Sequence, residues 1–229
     1  MGLAQEFNRA PRWVGLLLCL LCAYGIYECL SAAAAYLTGE ATGRYRYPLW
    51  GLVHFGSAAA FAALVPIQIC AGFRRRFPEL HRLGGRFAFA AASVMVSSGL
   101  ALSLAMPRPL PVRVFFAVVF VAFISFATLG FRAARAHDFA RHRQWAARMT
   151  ATALAALTQR LISPLFLSQG FKNPDEFWSL FLTGAWVALA LNLAATEWWL
   201  ARGVSQKLLP GAPSASVVVA RRESPLGAA

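Results

Sequence analysis

RVFFAVVFVAFISFATLGFRA, residues 113–133, decides how this chain folds. No charged side chain lies between Arg113 and Arg132. A hydrocarbon core about 30 Å thick takes about 20 apolar residues of helix to cross, and this stretch has that length. It is too long for a barrel strand and lacks two-residue alternation, so it reads as a transmembrane helix. Working outward, five further stretches share the pattern: 13–37, 51–73, 87–106, 147–168 and 177–201. Short arginine-bearing connections separate them. The expected fold class is all-α: a polytopic membrane protein with a bundle of six transmembrane helices in residues 1–202. Residues 203–229, rich in Gly, Pro, Ser and Ala, read as a disordered cytoplasmic tail.

Composition agrees. The chain is 59% hydrophobic and 14% charged, against about 25% charged in soluble domains. The net charge of +13 suggests nucleic acid in a soluble protein. Here it fits loops that face anionic lipid, and no nucleic-acid partner is expected. With the N-terminus inside, the inner segments hold 16 basic residues and the outer ones five. Only Arg160 falls within a span. This bias predicts both termini in the cytoplasm of a bacterial inner membrane, with anionic lipids against the basic face. Trp13, Trp50, Trp145, Trp178, Trp198 and Trp199 stand at span ends, where an amphipathic ring prefers the interface; Trp186 is the exception.

The first span follows Arg9 and Arg12 and breaks at Glu28, before Ser31-Ala32-Ala33, a small-residue pattern that also suits signal-peptide cleavage. Apolar character resumes through Leu37, which favours an uncleaved helix. Cys19, Cys22, Cys29 and Cys70 all lie in apolar spans and read as packing residues, without zinc spacing. Pro107, Pro109 and Pro111 stiffen the outer turn, and Pro66 and Pro164 predict kinks. No internal repeat supports an inverted-repeat transporter.

A charge at bilayer depth costs about 2.5–3.5 kcal/mol on insertion scales, so each needs a partner or a purpose. Helix counting gives two layers. The outer holds Glu28, His54 and Arg160, with Glu28 and Arg160 at one depth and expected to pair. The inner holds Gln68, His81, Arg82, Arg86, His142, Arg143, Arg148, Asn192 and Glu197. His81 and His142 stand just before the third and fifth spans, on different helices at one interface.

Three readings compete for the inner layer. The first is structural: the basic groups bond loop carbonyls, carboxylates and lipid phosphates. The second is a b-type haem between His81 and His142, with Arg82, Arg86 or Arg148 on its propionates. The third is a catalytic or transport site where arginines clamp an anion and His81 or Glu197 moves protons. His137 reads as a solvated loop residue.

The same residues carry a resemblance. His54, Gln68, Arg74-Arg75-Arg76-Phe77-Pro78-Glu79-Leu80-His81-Arg82-Leu83-Gly84-Gly85-Arg86, His142-Arg143-Gln144-Trp145, Arg148-Met149, Thr158-Gln159-Arg160, Trp186, Asn192 and Glu197-Trp198 occur in that order. Over about residues 50–200 the chain resembles the bacterial membrane-protein family catalogued as "domain of unknown function 2306". The stretch Trp145-Ala146-Ala147-Arg148-Met149 departs from the family's more usual Trp-Met-x-Arg order. The resemblance implies a membrane fold and no established activity. It implies that His54, Gln68, His81, Arg82, Arg86, His142, Arg143, Trp145, Arg160, Asn192 and Glu197 are the motif positions.

No nucleotide loop, nucleophile triad or metal cluster is present, and the sequence does not decide whether the chain is an enzyme. The most specific expectation is a haem-binding electron-transfer subunit using His81 and His142. The alternative is a carrier or membrane enzyme for a small or lipid-soluble anion, with a cytoplasmic cavity between the second, third, fifth and sixth spans. A structural subunit of a membrane complex is a third.

Overall fold

The computed structural model describes residues 12–38, 48–168, 170 and 172–205. Among these there are seven helices and no strand: α1 Arg12–Leu37, α2 Pro48–Ile69, α3 Ala71–Arg76, α4 Pro78–Ala105, α5 Leu110–Arg135, α6 Phe139–Leu167 and α7 Pro174–Ser205. Of the tail expected at 203–229, residues 203–205 instead continue α7, and the rest lies outside the described residues. Helix α1 runs unbroken through Glu28 and Ser31. Neighbours in sequence pack as neighbours in space, and α1 also touches α6 and α5 touches α7. The short joints at 70–78 and 136–138 define an arginine-rich end. The turn at 106–109 and the end of α6 at Leu167 define the opposite end.

Five helices are long and apolar enough to cross a membrane: Gly15–Ala35, Leu49–Ile69, Pro78–Ala105, Leu110–Arg135 and Pro174–Ala201. They turn large apolar side chains outward, among them Leu16, Leu20 and Leu30 on α1, Val118 and Val121 on α5 and Leu191 on α7. A water-soluble protein rarely tolerates so continuous an exposed apolar surface, whereas lipid welcomes it.

The sixth long helix, α6, is missing from that set, and its location explains why. It packs against α1, α5 and α7, and residues 151–155 are all buried. One turn is about 3.6 residues, so five consecutive buried positions mean that every face is covered. Over that stretch the helix needs no apolar face for lipid, although Leu161 and Leu165 beyond it are exposed. It keeps its polar groups and approaches closely through alanines 151, 153 and 155. Towards the arginine-rich end, residues 142–150 are half-buried on every face.

Two expected boundaries move. Helix α4 starts at Pro78 rather than 87, because Pro78 takes its first position. Helix α6 starts at Phe139 rather than 147, because the Asp138 carboxylate caps it by accepting the Arg141 N–H at 3.0 Å. His81 and His142 therefore belong to the first turns of their helices instead of preceding them. Hydropathy marks where a helix meets lipid, not where its hydrogen bonding begins. The second span ends early, at Ile69, and Cys70 is an exposed joint before α3 rather than a packing residue. Cys19 is exposed as well, while Cys22 and Cys29 are buried as expected. Helices α2 and α6 run through Pro66 and Pro164.

Candidate functional site

The arginine-rich end brings three helix ends together. Phe89 of α4 stacks on Phe131 of α5, with centroids 6.3 Å apart. Phe126 of α5 stacks on Trp145 of α6 at 5.8 Å. Gly130 permits that approach, since a Cβ there would sit 3.3 Å from the Trp145 Cβ.

Gln68, at the end of α2, lays its amide into a notch formed by Gly84 and Gly85. A Cβ on Gly84 would lie 2.6 Å from the end of the Gln68 amide. With the amide oriented by its hydrogen-bond partners, the nitrogen donates to the His81 carbonyl and to His81 Nδ1, both at 3.1 Å. The amide oxygen accepts from the Gly85 N–H at 3.1 Å. His81 Nδ1 is therefore an acceptor, and the ring proton of the neutral imidazole sits on Nε2.

His142 is held in the other tautomer. Its Nδ1 lies 3.0 Å from the Gly130 carbonyl oxygen. A carbonyl only accepts, so Nδ1 carries the proton and Nε2 keeps a lone pair. Arg74 and His142 are both near enough to act electrostatically on His81, and Arg74 acts likewise on Arg143. Arg143 buries its Nε. Basic groups from α3, α4 and α6 thus act on one another electrostatically at this end.

Several expected members are elsewhere. Arg82 faces outward beside Glu79 at 3.7 Å, with the two side chains 68% and 88% exposed, an arrangement worth little. Arg86 is exposed. Arg148 is bound to Glu197, its Nε donating to Oε1 at 2.6 Å and Nη2 to Oε2 at 2.8 Å. It also lies over the Trp145 ring, 4.8 Å from its centroid. Forked pairing of this kind fixes geometry as well as charge. It commits Arg148 and Glu197 to each other rather than to the histidines. Asn192 is also apart: it accepts from Thr158 Oγ1 at 3.0 Å and donates to the Ala151 carbonyl at 3.1 Å, fastening α7 to α6. Two grooves stand out among the described residues, and neither is the cavity expected between the second, third, fifth and sixth spans at the arginine-rich end. These lie between α2 and α4, about 270 and 170 Å³ in volume and sharing Trp50.

The outer layer assembles. Arg160 Nη1 donates to Glu28 Oε2 at 3.0 Å, joining α6 to α1, as the matched depths require. The guanidinium also stands 5.7 Å from the Phe55 ring centroid. His54 Nδ1 is 2.9 Å from the Met95 carbonyl and 3.3 Å from Ser98 Oγ, joining α2 to α4. Trp186, the tryptophan away from a span end, packs edge-on against Phe115 at 4.9 Å. Among the described residues no three His, Cys, Asp or Glu side chains are grouped to hold a metal ion.

Sequence reading missed Arg74 and the pairing of Arg148 with Glu197. Arg74 was hidden among three consecutive arginines. The adjacent glycines at 84 and 85, one turn after His81, were the legible sign of a close approach.

The fold and its outward-facing apolar surface define an all-helical, multi-pass membrane protein. The family described as "Predicted membrane protein (DUF2306)" matches residues 51–200, and the chain belongs to that family. No curated protein and no solved structure matches it.

Proposed function

We propose that this protein crosses the bacterial cytoplasmic membrane six times with both termini inside, and that its arginine-rich end binds an anion as a carrier or membrane enzyme for a small or lipid-soluble anionic substrate. Helix α6 has 29 residues, and at 1.5 Å per residue it is about 43 Å long, enough to span. The bias of basic residues towards the joints at 70–78 and 136–138 supports the orientation. Reporter fusions at residues 77 and 137 are expected to read as cytoplasmic, and one at residue 108 as external; the reverse pattern rejects this topology.

The observation that carries the anion reading is the opposed pair of tautomers at the arginine-rich end. His81 offers an Nε2 proton, His142 offers an Nε2 lone pair, and Arg74 acts electrostatically on His81. Both imidazoles lie in first turns, where the helix dipole also favours negative charge. An anion that stabilises the purified protein against heat should lose that effect in Arg74→Gln. Equal stabilisation of the variant counts against the site.

The same geometry weighs against haem. An iron bound by both histidines takes a lone pair from a nitrogen of each ring. At His81 the accessible Nε2 carries the proton while Nδ1 is engaged by Gln68. Protein purified from haem-replete cells should show no Soret band. A Soret band lost on substituting either histidine would restore the electron-transfer reading.

A further inference from the structure

We propose that the seam between α1 and α6 is a second binding site, for a neutral lipid whose head group sets an O–H or N–H donor beside a carbonyl oxygen, as a diacylglycerol or a protonated fatty acid does. It lies towards the end opposite the arginine-rich one and is independent of the anion reading. Helix α1 packs along α2 and makes far fewer contacts with α6. The two helices meet where Leu157 lies against Gly25, filling the space that a Cβ would take. One turn outward the seam loosens. Glu28 and Arg160 each stand three residues beyond that contact, and their side chains are 32% and 34% exposed. Farther out, Leu30 of α1 and Leu161 and Leu165 of α6 are exposed apolar side chains. Glu28 falls within the span Gly15–Ala35. Arg160 precedes the end of α6 at Leu167 by about 10 Å of helix axis. The opening is therefore reached from the hydrocarbon layer.

The pair has hydrogen-bonding capacity to spare. Arg148 and Glu197 are joined by two bonds in a fork, whereas Arg160 and Glu28 share one, from Nη1 to Oε2 at 3.0 Å. A guanidinium has five N–H donors and a carboxylate about four acceptor positions. Among the described residues Glu28 is the one hydrogen-bond partner of Arg160, whose guanidinium stands over the Phe55 ring. Tyr24, one turn back on α1, also bonds the Glu28 carboxylate. Donors and acceptors thus stand side by side at the opening. The two charges cancel, so a further charge of either sign meets one attraction and one repulsion, and at this depth it is costly. A neutral head group avoids that cost. Its carbonyl accepts from a guanidinium N–H, its own O–H or N–H donates to the carboxylate, and its tail lies along Leu30, Leu161 and Leu165.

The test uses the full chain in phosphatidylcholine nanodiscs, with bound lipid read by native mass spectrometry. The probes are oleamide, methyl oleate, oleate and dioleoylglycerol. Oleamide carries a donor and an acceptor, as a protonated fatty acid does, and methyl oleate carries the acceptor alone. Oleamide should bind about tenfold more tightly than methyl oleate or oleate, the worth of one hydrogen bond to a charged group. Displacement of oleamide by dioleoylglycerol assigns the site to diacylglycerols as well; failure to displace assigns it to protonated fatty acids. Glu28→Gln leaves the guanidinium charge unbalanced, so the preference should invert to oleate. Leu161→Trp, which puts a larger side chain at the opening and leaves the pair in place, should weaken every probe. If Glu28→Gln does not accumulate, Leu161→Trp and the wild-type ranking carry the comparison. Equal binding of oleamide and methyl oleate, an unchanged ranking in Glu28→Gln, or oleamide binding that Leu161→Trp leaves intact overturns the site. A dimer that takes no probe and is split by Leu161→Trp also overturns it, assigning the seam to a second copy of the chain.

Discussion

Arg160→Leu is expected to reduce the protein in the membrane to a small fraction of the wild-type amount. The variant leaves the Glu28 carboxylate inside the bilayer without the guanidinium that donates to it at 3.0 Å. Breaking a buried pair from one side costs about 3–5 kcal/mol. Here the two side chains remain 34% and 32% exposed, so the lower end, about 3 kcal/mol, is the appropriate figure. That is a large share of a typical stability of about 5–15 kcal/mol. The double variant Glu28→Gln/Arg160→Gln should accumulate better than Arg160→Leu. Two neutral amides can still bond to each other, and no lone charge remains. Quantitative blotting of membrane fractions checks both, and equal loss in the two variants rejects the pairing argument.

Gly84→Ala should damage the site while leaving the fold almost untouched. The added Cβ falls 2.6 Å from the Gln68 amide, the far end of a flexible side chain, so Gln68 yields rather than α4. Alanine gains about 1 kcal/mol of helix propensity over glycine. That roughly offsets the loss of a bond worth about 1 kcal/mol, so thermal stability should change little. Without Gln68, the His81 proton is no longer confined to Nε2, and anion affinity should fall about tenfold. Gln68→Leu should do the same, and the two together should do no more than either, because both remove one interaction. Nitrogen NMR of the imidazole reads the tautomer directly. Unchanged tautomer and affinity in Gly84→Ala would falsify the role assigned to Gln68.

The two polar layers were unequally legible. Glu28 and Arg160 could be matched from sequence because each is an isolated charge at a countable depth on its own helix. His54 was marked in the same way, but its partners were not. It bonds a backbone carbonyl and the Ser98 hydroxyl, which have no signature in sequence. In the inner layer there were more arginines than roles. Depth alone could not say which of Arg74, Arg82, Arg86, Arg143 and Arg148 turned inward. Rotation about each helix axis sorted them: Arg82 outward with Glu79, Arg148 to Glu197, and Arg74 near enough to His81 to act on it electrostatically.

Sequence by itself determined the solvent and the helical class, because lipid demands an unbroken run of apolar residues and internally bonded backbone. It also marked the polar residues that had to find partners. Only the tertiary structure decided that α6, the most polar long helix, is covered on every face at residues 151–155, and that His81 and His142 hold opposite protons. Those outcomes depend on which helix lies beside which, and on one glutamine fitting over two glycines. Contacts of that kind are set by packing between segments remote in the chain, and hydropathy along a single segment carries no record of them.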